Sequence, residues 1–87
     1  MIVKSLPKFD KQFKKLSPKL QDQFQQRLAL LLEDPSARSL RIHQLKGSYV
    51  GYWSMNVNGD LRALYKKQGD AIIIFALIDT HSQLYGK

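Results

Sequence analysis

Two histidines, His43 and His81, and the pair Asp60 and Arg62 are the side chains of this sequence best suited to moving a proton or holding a charged transition state. Histidine ordinarily titrates near neutrality, so two of them can supply one base and one acid. His43 stands in HQLKG and His81 in DTHSQLYG, ahead of and behind a run of strand-forming residues. Asp60 and Arg62 lie two apart within that run, and on one strand both side chains would point the same way. Left alone, such a D-x-R is a surface ion pair contributing about 0–1 kcal/mol. Metal ligation is the competing use of the histidines, but no close carboxylate motif such as HExxH accompanies them. Tyr85, four residues after His81, either packs against the core or reaches the same face. Arg41, Lys46, Lys66 and Lys67 are cations that can steer phosphate, each unspecific alone. Tyr49 and Tyr52 offer rings on which a base can stack, whereas Trp53 reads as core.

The elements that must position these groups follow from the apolar pattern. Phe9, Phe13 and Leu16 recur at helical spacing, and Leu20, Phe24, Leu28, Leu31 and Leu32 repeat the stripe after Ser17-Pro18. Serine caps helices and proline suits their first position, so one helix is predicted to end at Leu16 and a second to start there, ending at Asp34-Pro35. Lys8, Lys11, Lys14, Lys15 and Lys19 fall mainly on the wet side. Residues 2–6 have the composition of a short first strand.

The second half changes period. Val50 to Asn56, Leu61 to Lys67 and Ala71 to Asp79 are rich in β-formers, separated by Asn58-Gly59 and Gly69-Asp70. They predict an antiparallel meander. A three-residue loop Val57-Asn58-Gly59, with Gly59 in the left-handed conformation, would pair Asn56 with Asp60, Ser54 with Arg62 and Tyr52 with Leu64. That register gathers the polar groups on one face without a helical cover, and turns Trp53, Met55, Leu61, Ala63 and Tyr65 towards the helices. The fold class is α+β: an N-terminal αα-hairpin packed on a small, mainly antiparallel twisted β-sheet, with residues 1–87 forming one domain.

Composition limits what the chain can do. Its 87 residues include no cysteine, which excludes disulfides, thiolate metal sites and a cysteine nucleophile. Fourteen Lys and Arg against seven Asp and Glu give a formal charge of +7, a potential that attracts a polyanion or an acidic protein. The N-terminus lacks the apolar run of a signal peptide, and the Ile-rich run near residues 71–78 is too short to span a bilayer. A soluble, cytoplasmic protein is expected.

The ordered motifs resemble the RelE/ParE superfamily of toxins from bacterial toxin-antitoxin pairs, especially its YafQ-like ribosome-dependent mRNA endonucleases. They are a basic αα-hairpin, H-x-L-x-G at His43 to Gly47, G-Y-W-S at Gly51 to Ser54, D-L-R-A-L-Y at Asp60 to Tyr65, an Ile-rich strand, and T-H-S-Q-L-Y at Thr80 to Tyr85. The resemblance covers nearly the whole chain and implies the RelE-like microbial RNase fold. It implies a YafQ-like active site at His43, Asp60 and His81, and RelE-like roles for Arg62 and Tyr85. A further histidine of the YafQ-like pattern is replaced by Asn56, which can hold a phosphate or a water but cannot shuttle a proton near neutrality.

What the resemblance implies is a type II toxin that cleaves mRNA on the ribosome without a metal or other cofactor. The 2′-hydroxyl attacks its own 3′-phosphate while an acid protonates the departing 5′-oxygen. His81 is expected as general acid, His43 or Asp60 as base or its orienter, Arg62 as charge stabiliser and Tyr85 as the residue positioning the nucleotide. Arg41, Lys46, Asn56, Lys66 and Lys67 are expected to hold RNA. A cognate antitoxin, acidic to match the +7 charge, is the implied partner in a hetero-oligomer. Two alternatives stay open: a ParE-like toxin that acts on gyrase, and a noncatalytic RNA- or protein-binding module with structural histidines.

Overall fold

Ser17 and Pro18 divide the helical third as their chemistry requires. In the computed structural model, which describes residues 1–85, Ser17 Oγ accepts from Leu20 N at 3.3 Å and Pro18 is the first residue of the second helix. The first helix, α1, spans Pro7–Lys14 and ends one turn-closing step before Leu16; the second, α2, spans Pro18–Glu33. Gln21 Nε2 donates to Phe13 O at 3.0 Å and Leu16 O at 3.2 Å, which fixes the corner between them. The predicted lysines are all exposed. Leu32 is 45% exposed and does not join the stripe, since Leu28 and Leu31 already fill that edge of the helix face.

Five strands follow the order β1-β5-β4-β3-β2: β1 (Ile2–Ser5), β2 (His43–Gln44), β3 (Trp53–Asn56), β4 (Leu61–Gln68) and β5 (Ile72–Thr80). Among the described residues, only the β1–β5 pair is parallel. A short helix, α3 (His81–Tyr85), continues directly from β5. The helices α1 and α2 cover one sheet face. Phe9, Phe24 and Phe75 meet there with ring centroids 5.1–5.6 Å apart, joined by Leu31, Met55, Ala63 and Tyr65.

The β3–β4 hairpin differs from its expected register. Asn56 pairs with Arg62 and Ser54 with Leu64, so the three-residue loop is Asn58-Gly59-Asp60. Gly59 is not in the left-handed region. Instead Asn58 Oδ1 accepts from Asp60 N at 2.9 Å and Leu61 N at 2.8 Å, a side-chain turn that makes a left-handed glycine unnecessary. The slip is by two residues, so the division of faces survives. Asp60, however, moves out of the strand into the loop. β3 also starts at Trp53; Val50 is 73% exposed before it.

Tyr65 gives the fold a pH signature. Burial pushes its hydroxyl up to about 12 from the ordinary 10, because the phenolate would lose its hydration. A raised folded-state value means full stability below the unfolded value, lost as pH climbs from about 10 to about 12. Native protein is expected to lose about 2–3 kcal/mol more than Tyr65→Phe over that window, read by urea denaturation at several pH values.

Candidate active site

The sheet face away from α1 and α2 carries the polar residues. It is not bare: α3 folds back over part of it. Leu84 is buried, Tyr85 Oη donates to Ser54 Oγ at 3.4 Å, and Ser54 and Leu64, paired across β3 and β4, are fully buried. The first residue of α3 is tied to the hairpin loop, His81 N donating to Asp60 O at 2.9 Å.

An open cavity of about 410 Å³ lies beside α3 and draws its walls from four places in the chain. His43 comes from β2, Asn56 from β3, Arg62 from β4, and His81 and Tyr85 from α3. Arg41, just before β2, completes it. Among the described residues no carboxylate lines this cavity.

Each group is held differently. His43 Nδ1 lies 3.0 Å from Arg41 O. A carbonyl only accepts, so Nδ1 carries the proton in the neutral ring and Nε2 keeps its lone pair, the state a general base needs. Arg41 presents that carbonyl from a left-handed backbone at φ 47°, ψ 47°, costing about 1 kcal/mol for a residue with a Cβ. Arg62 donates to three main-chain carbonyls at the hairpin turn, two in the loop and one at the start of β4: Asn58 O at 2.9 Å, Gly59 O at 3.2 Å and Leu61 O at 3.3 Å. Two of its five N–H groups remain for a ligand. His81 is exposed, its ring 4.6 Å from that of Tyr85. Tyr85 in turn meets Tyr49 at 6.0 Å, Tyr49 meets Tyr52 at 6.0 Å, and the Lys66 ammonium sits 4.6 Å from the Tyr52 ring.

The structure therefore brings His43, Arg62, His81, Tyr85, Arg41 and Asn56 to one cavity and leaves out others. Asp60 is exposed in the loop and does not line it; its main-chain oxygen, not its carboxylate, meets α3. Lys66 stands at the far end of the tyrosine row. Lys46 is exposed outside the cavity. Lys67 lies 4.1 Å over Trp53 and lines a separate apolar cavity on the helix side with Leu31, Ile42 and Tyr65. The described residues hold no group of three His, Cys, Asp or Glu able to hold a metal ion, and no helix among them is long and apolar enough to cross a membrane.

Sequence reasoning missed Arg27. It belongs to the inward stripe of α2, one turn from Phe24 and Leu31, and its Nε donates to Val57 O at 3.2 Å. A cation at an apolar position of a helical stripe was the available signal.

A family model described as "Bacterial toxin of type II toxin-antitoxin system, YafQ" matches residues 1–86. No curated protein sequence matches. Among solved structures, YafQ from E. coli strain BL21(DE3) superposes with a TM-score of 0.82 at 23% identity, covering 97% of each chain. The E. coli DinJ-YafQ toxin-antitoxin complex gives 0.79 at 23% identity, covering 97% of this chain and 96% of that one. The RelB-RelE antitoxin-toxin complex from Methanococcus jannaschii gives 0.73 at 20% identity, covering 95% of each. At these identities the structural likeness is one of fold.

Proposed function

Because this chain belongs to the YafQ family of bacterial type II toxins, we propose that it is an endoribonuclease cutting mRNA on the ribosome, held inactive by a cognate antitoxin. One observation carries the reading: two histidines and an arginine, from elements far apart in sequence, line a single cavity. A proton acceptor, a proton donor and a fixed cation are what internal attack of a 2′-hydroxyl on its phosphate requires. His43, with Nε2 free, takes the proton of the 2′-hydroxyl. Arg62 stabilises the charge gathering on the phosphate, and His81 gives a proton to the departing 5′-oxygen. Tyr85 positions the nucleotide beside His81. Asn56 faces Arg62 across β3 and β4 and can hold a phosphate oxygen or a water. Asp60 orients the start of α3 through its carbonyl.

Two imidazoles in a cavity that no Asp or Glu among the described residues lines suit proton transfer better than metal ligation. The antitoxin reading draws support from the DinJ-YafQ and RelB-RelE complexes, whose toxins share this fold. An acidic antitoxin would complement the +7 charge.

The test is the chemistry of the cut ends. Purified protein added to ribosomes programmed with mRNA is expected to leave a 2′,3′-cyclic or 3′-phosphate upstream and a 5′-hydroxyl downstream. A 5′-phosphate downstream would point instead to a metal-activated water. No cleavage, together with inhibition of gyrase supercoiling, would transfer the protein to the ParE-like class.

A further inference from the structure

A second open cavity, also about 410–420 Å³, adjoins the first and shares Arg41, Asn56 and Arg62 with it. Its remaining wall comes from Arg27 of α2, Ser39 and the hairpin loop at Val57, Asn58 and Gly59. Three arginines thus line one concavity, and among the described residues no acidic side chain does. Cations gathered along one concave wall raise its positive potential and favour an anion there.

The wall is built and not a chance meeting of surface cations. Arg27 is only partly exposed, and its Nε is committed to Val57 O at 3.2 Å, so its other N–H groups are held near the hairpin. Asn58 Nδ2 donates to Gln23 Oε1 at 3.0 Å, a second tether between the same loop and α2. Arg62 is fixed by two carbonyls of that loop and by Leu61 O at the start of β4. The Arg27 and Arg62 guanidiniums therefore surrender little side-chain freedom on binding, and their planar forks match phosphate oxygens.

We propose that this second cavity is a subsite for another phosphodiester of RNA, adjoining the one cut at His43 and His81, with Arg27 as its anchor. The proposal rests on reading the first cavity as an RNA site and names what extends it. Arg41 and Arg62, common to both cavities, bridge the two phosphates. The phosphodiester belongs either to the mRNA strand or to ribosomal RNA beside it.

The experiment measures affinity against salt for two probes: a short 2′-O-methyl RNA, which cannot be cleaved, and intact ribosomes. Each phosphate neutralised on a single strand contributes about 0.7 to the slope of log K against log salt. Arg27→Gln, which still offers a donor to Val57 O, is expected to make the slope shallower by about 0.7 and to weaken binding about fivefold at 0.1 M salt. Ser39→Glu, an exposed position that places a carboxylate in the cavity, is expected to weaken binding at least as much without touching the core. Arg38→Gln, a nearby exposed cation outside the cavity, serves as the control. Loss with the oligonucleotide assigns the phosphate to the substrate strand; loss with ribosomes alone assigns it to ribosomal RNA. Unchanged slopes in folded Arg27→Gln and Ser39→Glu proteins, or an equal change in Arg38→Gln, overturn the proposal. So does a selective loss of acidic-antitoxin binding with both RNA slopes intact. A shallower slope in a protein that cleaves nothing would keep the subsite and remove the nuclease reading.

Discussion

Replacing His81 with alanine is expected to slow ribosome-dependent cleavage by about 10²-fold or more while the protein stays folded. The imidazole is exposed at the first residue of α3, so its loss opens no core cavity, and the main-chain bond from His81 to Asp60 O does not depend on the side chain. His81→Gln keeps polar bulk beside Tyr85 but cannot exchange a proton, and the same loss is expected. A general acid works only while protonated, so the native rate should fall on the alkaline side of the pH profile, and that limb should vanish in both variants. Single-turnover rates across pH decide the matter. Native rates in His81→Ala would take this residue out of the reaction.

Arg62→Ala is expected to cost about 10²–10³ in kcat, the usual cost of removing one fixed donor from a developing oxyanion. The side chain also closes the hairpin loop, so a purely structural role must be separated. Of the three carbonyls it meets, Gly59 O lies in an exposed stretch of the loop where water replaces the lost donor, Leu61 O still accepts from Val57 N at 2.9 Å, and Asn58 O lies in the partly exposed loop, so stability falls by about 1 kcal/mol or less. Arg62→Lys keeps the charge but not the fork, and an intermediate rate is expected. A loss in kcat with melting near the native value assigns Arg62 to the transition state; a rise in KM alone assigns it to ground-state binding.

The parts of this fold legible in the sequence are those set by local chemistry. Ser17-Pro18 marked the helix junction because a cap and a fixed φ act within a few residues. Gly69 marked the β4–β5 turn because its φ of 62° favours glycine. The hairpin register was missed because Asn58 could build the turn with its side chain, a choice invisible to a reading that gave the task to Gly59. That slip is what separates Asp60 from Arg62. His43 was read as lying ahead of the sheet, yet two residues, His43 and Gln44, suffice to pair with Ser54 and Trp53 as an edge strand. So short an element has no periodicity to detect. Arg27 escaped because helical stripes are searched for apolar residues, and the partner that explains it, Val57 O, is thirty positions away.

The pairing of Ile2 with Ile72 encloses about four-fifths of the chain between two neighbouring strands. Closing so large a loop is entropically slow, and little local contact rewards it beforehand. The helical hairpin and the β3–β4–β5 meander can form early from nearby residues, but the cavity needs β2, β4 and α3 assembled on a finished sheet. Half-folded chains therefore carry the side chains of the cavity without arranging them. Harm to the host would scale with the native fraction, and a cavity-forming substitution at Phe75, which lines neither of the two polar cavities, would detoxify the protein by depleting that fraction.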